Sequence, residues 1–271
     1  HYPFNLIAKN KYEDSNLRKI WDLCINSLRY GVQDNIQDCM EREKGFYVGD
    51  GCYTALTHML LTGDDSIVRK LIDDAFETTF ITDGLVTCLG CSFMQEIAEY
   101  PLILVSLVFW HYQFTSDKAY LSENFEKTKA LLEAYRKAYE KEYLLTDMDK
   151  WSVVEWPPEY RDGYDVELHP AKVCEVPHVV IDAYYLQAIK TVNKMAEILQ
   201  KPAYRDIKPL ETAFYKAFYD AERHLFCDST ESAHASIVGN SFAFGFGLVP
   251  DRDFRKEYLK ILGERKISTL S

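Results

Sequence analysis

The chain has 271 residues, 47% of them hydrophobic and 27% charged, so it is long enough to bury a sizeable core and too apolar to be a disordered segment. Its net charge of −11 argues against DNA, RNA or an anionic membrane surface as the main partner, because each of these needs a basic face. The longest apolar run, Pro101–Trp110, is too short to span a bilayer.

Helical periodicity dominates from the first residues onward. The opening His1-Tyr-Pro-Phe-Asn5 is neither an initiator methionine nor a signal peptide, which implies that the chain begins within a longer protein. Leu17, Ile20, Trp21, Cys24 and Leu28 then fall on one helical face. A second helix is expected over 51–62, and a third over 65–79 with Ile67, Leu71 and Ala75 in its stripe. Residues 100–115 are apolar nearly all round and read as a buried helix. Residues 118–142 form a long charged helix with Leu131, Leu132, Tyr135 and Tyr139 as its apolar side. The segment 147–177 holds Pro157, Pro158, Gly163, Pro170 and Pro177, which break helices. Helices resume over 178–199, 203–223, 235–247 and 253–263.

No period-2 strand of any length appears, so the fold class is all-α. Helices buried on every side (100–115, 235–247) alternate with amphipathic charged ones (65–79, 118–142, 203–223). Concentric rings require that alternation, since inner helices touch protein all round and outer ones face water. An (α/α)6 toroid therefore fits better than a four-helix bundle, whose helices would all be amphipathic. A solenoid of helix pairs would show a repeat at fixed period, and none is present. The helices fall short of the number a six-hairpin ring needs. The expectation is a single toroidal domain over 1–271, incomplete at its C-terminus and part of a longer protein.

The seven cysteines are odd in number, and a chain this long needs no disulfide staples, so they read mostly as buried thiols. Cys88-Leu-Gly-Cys91 is one CxxC without a partner pair, and Glu167-x-His169 and His178 lack metal-ligand spacing, so no metal is expected. GxGxxG, Walker, GxSxG and HExxH motifs are absent, and no cofactor is expected. His58 and His111 lie in apolar helices and read as hydrogen-bonded core residues. Asn240, an amide in an apolar helix, needs partners and is a candidate to face a central cavity.

Chemistry concentrates in Asp38-Cys-Met-Glu-Arg-Glu43-Lys-Gly-Phe-Tyr-Val-Gly-Asp50, the connection between the first two helices. It carries four carboxylates and Arg42, interleaved with Phe46 and Tyr47. A glycine-bearing loop between helices can aim several carboxylates into one cleft. Glycoside hydrolysis needs one acid to protonate the leaving oxygen and one base to activate water. The acid must keep its proton near neutral pH, for which an apolar neighbour or a second carboxylate suffices. On residue types alone, a solvated acidic loop is the competing reading.

This stretch resembles the signature of the bacterial α-L-rhamnosidases, glycoside hydrolase family 78, which reads roughly D-C-P-x-R-E-x-x-G-W-x-G-D at the mouth of an (α/α)6 barrel. Asp38, Cys39, Arg42, Glu43, Gly49 and Asp50 match in type and spacing. His234-Ala-Ser-Ile-Val-Gly-Asn and Phe246-Gly-Leu-Val-Pro250 resemble that family's late helix and its stop. The resemblance implies an inverting hydrolase of terminal α-L-rhamnosyl residues with Glu43 as general acid. It implies that Asp38 and Asp50 hold sugar hydroxyls and that Arg42 orients a carboxylate or hydroxyl. Three positions depart from the pattern: Met40 for proline, Phe46 for glycine and Tyr47 for tryptophan. The first alters loop stiffness, the second puts the backbone path in doubt, and the third keeps a smaller aromatic platform. The family's base is a glutamate beyond the G-L-V-P segment, and no match precedes Ser271. Glu155 is the in-chain substitute.

The loop over 147–177 sets Trp151, Trp156, Tyr160 and Tyr164 beside Asp149, Glu155, Arg161, Asp162 and Asp165. Aromatic faces stack on sugar CH groups while acids bond the hydroxyls, which makes Trp151 and Trp156 platform candidates and carbohydrate the expected partner. Gln95-Glu96-Ile-Ala-Glu99 reads either as cleft lining or as the acid-rich first turn of a helix. Two rival functions remain at this stage. One is a six-hairpin hydrolase or lyase acting on a uronic acid bound by Arg42 and Arg161. The other is an inactive carbohydrate-binding or scaffold fragment.

Overall fold

The computed structural model describes residues 2–90, 95–154, 160–164 and 175–265. Its helices are α1 (Ser15–Gly31), α2 (Val48–Thr62), α3 (Ser66–Phe76), α4 (Tyr100–Thr115), α5 (Lys118–Ala138), α6 (Val179–Ile198), α7 (Lys208–Phe218), α8 (Ile237–Gly245) and α9 (Arg252–Arg265). None is long and apolar enough to cross a membrane.

The even-numbered helices form an inner row in chain order: α2 packs on α4, α4 on α6, and α6 on α8. The odd-numbered helices α3, α5, α7 and α9 pack outside, each against an adjoining inner helix. Sequence explains the division. Helix α6 buries Val179–Leu186 without interruption, so it can sit only between neighbours. Helix α5 buries one stripe, Tyr120, Leu121, Phe125, Leu131, Leu132 and Tyr135, and leaves its charged face to water. Helices α2, α4 and α6 turn their N-terminal halves toward one cavity, so the positive ends of their dipoles collect there.

The chain leaves its helices earlier than the periodicity suggests at two places. Helix α5 ends at Ala138, and β1 (Glu140–Lys141) pairs with β2 (Leu144–Leu145). Glu142 and Tyr143 both take positive φ (51° and 72°), the conformation of a tight two-residue hairpin turn. Glu140 is also drawn away from the helix axis, because it accepts a two-pronged bond from Arg205 and the hydroxyl of Tyr185. Likewise α7 ends at Phe218, and β3 (Tyr219–Asp220) pairs with β4 (Leu225–Phe226). Asn240 does not face a cavity. Its amide brackets Phe226, accepting from that residue's N–H at 2.8 Å and donating to its carbonyl at 3.0 Å, so it anchors β4 to α8.

Other residues depart from the core reading as well. Of the α1 stripe, Leu17, Ile20 and Cys24 are exposed, and the buried residues of that helix are Ile25 and Gly31. His111 is a hydrogen-bonded core residue, 2.8 Å from Asp65. His58 instead sits 3.8 Å from Asp64, edge-on to the rings of Tyr2 and Phe4. Cys88 is fully buried, and burial pushes its thiol up to about 12, which keeps it protonated at neutral pH.

A buried hydrogen bond ties the outer layer to the segment that leads into α4. Tyr135 of α5, 1% exposed, donates its hydroxyl to the carbonyl of Ala98, just before α4, at 2.6 Å. Tyr135→Phe keeps the ring and removes that donor. The expected loss is about 1–3 kcal/mol, the range for stranding a buried polar group, read as a lower urea midpoint at unchanged slope.

Candidate active site

The loop from 38 to 47 is closed by a reciprocal pair between its ends. Asp38 donates its N–H to the carbonyl of Gly45 at 2.9 Å, and its carboxylate accepts the Gly45 N–H at 2.7 Å. Lys44 turns the chain with φ 53°. Gly45 is required by close approach, because a Cβ there would lie 2.5 Å from the ring of Tyr47. Phe46, which takes the place of a glycine in the resembling pattern, points inward. It is 3% exposed, and its ring would lie 2.9 Å from a Cβ on Gly90. The aromatic at 46 therefore belongs to the core, and the neighbouring Tyr47 faces outward.

This closure brings Asp38, Arg42, Glu43 and Tyr47 to one rim of a cavity of about 570 Å³. Arg42 donates to the Glu43 carboxylate at 2.7 Å, and the Tyr47 hydroxyl bonds the same carboxylate. Tyr47 is therefore tied to the acid as well as offering a ring. The N-terminal halves of α2, α4 and α6 supply further lining, Gly49, Asp50 and Tyr53 from α2, Tyr100 and Ile103 from α4 and Tyr184 from α6, and α8 adds Phe242. The Tyr53 and Tyr184 hydroxyls bond one another. Trp151, Val153 and Val154 close the far side with Ile97 and Glu99.

Three carboxylates thus open onto one space, and a fourth is buried in its wall. Asp50 meets solvent in the cavity, but the protein around it pushes its carboxyl above the ordinary aspartate range. The Tyr100 hydroxyl, 3.3 Å from Asp50 Oδ2, acts in the opposite direction. Glu99 is 2% exposed, and burial pushes its carboxyl up. Arg42 is the one cation among the described lining residues. Such a site offers hydrogen-bond acceptors, aromatic faces and an apolar wall to a neutral polyhydroxylated ring.

Of the sequence candidates, the structure brings Asp38, Arg42, Glu43, Tyr47, Asp50 and Trp151 together. Glu155 and Trp156 lie outside the described residues, as do Asp165, Glu167 and His169. Arg161 is 8% exposed and is not among the residues lining the cavity. Glu96 and Glu99 separate. Glu99 lines the cavity, whereas Glu96 turns away and pairs with Lys150 at 2.9 Å. Tyr53, Tyr100, Tyr184 and Phe242 were not singled out from sequence. Their only signal was position on inner helices whose ends meet at one space, which the ring geometry makes meaningful.

Residues 10–266 match the model of the bacterial alpha-L-rhamnosidase six-hairpin glycosidase domain. The chain belongs to that family. No curated protein matched this chain. Among solved structures, a GH78 family rhamnosidase of a Bacillus species is similar over 98% of this chain and 30% of its own, with a TM-score of 0.82 and 16% identity. A rhamnosidase from Klebsiella oxytoca with rhamnose bound is similar over 98% of this chain and 50% of its own, with a TM-score of 0.76 and 16% identity. A GH63 mannosylglycerate hydrolase from Thermus thermophilus shares the fold more loosely, at a TM-score of 0.62 and 13% identity over 90% of this chain and 75% of its own. This rhamnosidase-family domain thus spans half or less of the length of the two rhamnosidases. At these identities the likeness establishes the six-hairpin helical toroid fold.

Gly49 offers a check on the cavity's construction in this family domain. A Cβ there would lie 2.5 Å from Tyr100 Cε1, so Gly49→Ala must displace the tyrosine that reaches Asp50. The expected cost is about 1–3 kcal/mol of overpacking, measured by urea unfolding, together with movement of the Tyr100 ring in a crystal structure of the variant.

Proposed function

We propose that this domain is the catalytic part of a glycosidase that removes terminal α-L-rhamnosyl residues with inversion. The observation that carries the reading is the convergence of Asp38, Glu43 and Asp50 with Trp151 on one cavity, in a chain of the rhamnosidase family. The Klebsiella oxytoca relative was solved with rhamnose bound. Rhamnose is a 6-deoxy sugar, and its methyl group suits the apolar wall of Ile97, Ile103, Val153, Val154 and Phe242. A uronic acid would need a cation for its carboxylate. Arg42 is already bonded to Glu43, and Arg161 is not among the cavity's lining residues, which favours the neutral sugar.

In this reading Glu43 is the general acid. It passes its proton to the glycosidic oxygen as the bond to C1 breaks, and water adds to the opposite face of C1, losing its proton to a second carboxylate. The product sugar leaves with β configuration. Asp38 and Asp50 accept hydrogen bonds from the sugar hydroxyls. Asp38 has one oxygen committed to Gly45, so it serves the sugar with the other. Tyr47 and Arg42 orient the Glu43 carboxylate, and Trp151 stacks on the sugar face. Glu99 is unsuited to activating water, because backbone and serine donors already occupy both of its oxygens.

Calorimetry with L-rhamnose and D-glucuronate tests the substrate class, with L-rhamnose expected to bind and glucuronate not. Hydrolysis of aryl α-L-rhamnosides followed by NMR tests the stereochemistry, with the β anomer expected first. Glu43→Gln is expected to lower kcat by about 10²–10⁴-fold on a glycoside with a poor leaving group, the usual range for general acid catalysis. The loss should shrink with a nitrophenyl leaving group, which departs with little protonation. Equal losses on both substrates would remove Glu43 from that role.

The position of Asp50 adds a pH dependence. An ionised Asp50 accepts sugar hydroxyls better than a protonated one, and its carboxyl sits above the ordinary aspartate value of about 3.9. As pH falls, L-rhamnose binding should therefore weaken sooner than an ordinary aspartate would cause. Tyr100→Phe removes the hydroxyl that counteracts this shift, so the weakening should begin at still higher pH, measured by calorimetry from pH 7 to pH 4.

A further inference from the structure

Glu99 occupies the N-cap position of α4, yet its side chain makes no capping bond to that helix. It reaches across to residues 152–154 instead. One carboxylate oxygen accepts the N–H groups of Val153 and Val154 at 2.8 and 2.7 Å, and the other accepts the Ser152 hydroxyl at 3.2 Å. Beside these bonds the two segments run parallel. Ile97 bridges Trp151, and Ala98 donates its N–H to the Trp151 carbonyl at 2.7 Å. Val154 holds φ at 51°, a left-handed conformation that a β-branched residue avoids unless its surroundings impose it.

Glu96 plays the matching part on the other flank. It pairs with Lys150, the residue before Trp151, and accepts both the N–H and the hydroxyl of Thr82 at 2.9 and 2.7 Å. The stretch Glu96-Ile-Ala-Glu99 therefore grips the chain before and after Trp151, with the Ala98–Trp151 bond between the two grips. Burying a carboxylate at 2% exposure is costly unless donors satisfy it. The three donors that satisfy Glu99 all belong to the segment that follows Trp151.

We propose that Glu99 is a positioning residue, whose carboxylate fixes residues 152–154 and so holds Trp151 over the cavity as a sugar platform. The sugar part of this inference rests on the rhamnosidase reading above. The clamp itself does not, and the experiment separates the two.

Hydrogen–deuterium exchange on the full chain reads the clamp without any ligand. In Glu99→Ala the amides of Val153 and Val154 should exchange at least about tenfold faster, the scale of losing a bond to a charged group, while peptides from α4 and α6 keep their protection. Unchanged protection at 153–154 overturns the proposal. Calorimetry with L-rhamnose then reads the platform in a double-mutant cycle. Glu99→Ala should weaken binding about tenfold in the wild-type background and about twofold or less in Trp151→Ala, since a positioning residue loses its effect with its client. If the two losses multiply in the double variant, Glu99 acts on the sugar directly and the positioning role fails. Glu99→Gln, which keeps an acceptor oxygen for the two N–H groups, should retain slow exchange and most of the affinity. A Gln variant as impaired as the Ala variant would count against the clamp. If Glu99→Ala does not fold, Glu99→Asp, one methylene too short to reach, carries the same comparison. A wild-type chain that binds no L-rhamnose would sink the substrate reading and leave the exchange result to decide the clamp.

Discussion

Between Pro101 and Val108 of α4, every residue but Ser106 is buried. A helix so enclosed cannot shift or rotate without opening voids in a close-packed interior, so its first turn is a fixed point. The active-site architecture is measured from that point. Tyr100 reaches Asp50 across the gap to α2, made narrow by Gly49. Ala98, just before the helix, ties the segment carrying Trp151 on one side and receives the Tyr135 hydroxyl from the outer layer on the other. The acidic loop over 38–47 is attached less directly. It hangs from the start of α2, where Val48 donates its N–H to Cys88 and Tyr47 bridges Leu89.

The toroid also decides the electrostatics. Helices α2, α4 and α6, presenting their N-terminal halves to one space, give it a weakly positive backdrop, against which acidic side chains are tolerated. That setting admits Asp38, Glu43 and Asp50 close together with a single cation among the described lining residues. A neutral sugar is a fitting occupant, because its hydroxyl protons satisfy carboxylates without adding charge. The two acids just before the fourth helix divide the labour of supporting this arrangement. Glu96 takes a cation, and Glu99 takes backbone.

Much of this was legible in the residues. Period and polarity located each helix, although the stripe they marked on α1 is largely exposed. The alternation of all-round apolar with one-sided helices gave the ring architecture. Six matched positions between Asp38 and Asp50 pointed to the loop that lines the cavity, since a short loop must keep residue type and spacing to aim its carboxylates. Trp151 and Trp156 stood out together because a loop seldom carries several tryptophans and tyrosines without use, and Trp151 lines the cavity while Trp156 lies outside the described residues.

What the sequence left open depends on residues distant along the chain. The helix pattern ran through Glu140 and past Phe218, where contacts with Arg205, Tyr185 and Asn240 bend the backbone into hairpins that local propensity does not encode. Asn240 looked like a cavity residue because its hydrogen-bond need was visible and its partner, the backbone of Phe226, was not. Tyr53, Tyr100, Tyr184 and Phe242 are ordinary core-type residues until four helices converge. Glu99 and Glu96, three residues apart in one acidic run, took opposite roles that only their neighbours in space distinguish. Secondary structure follows from short-range periodicity, but which side chains share a cavity is set by packing between helices, and that information exists only once the chain is folded.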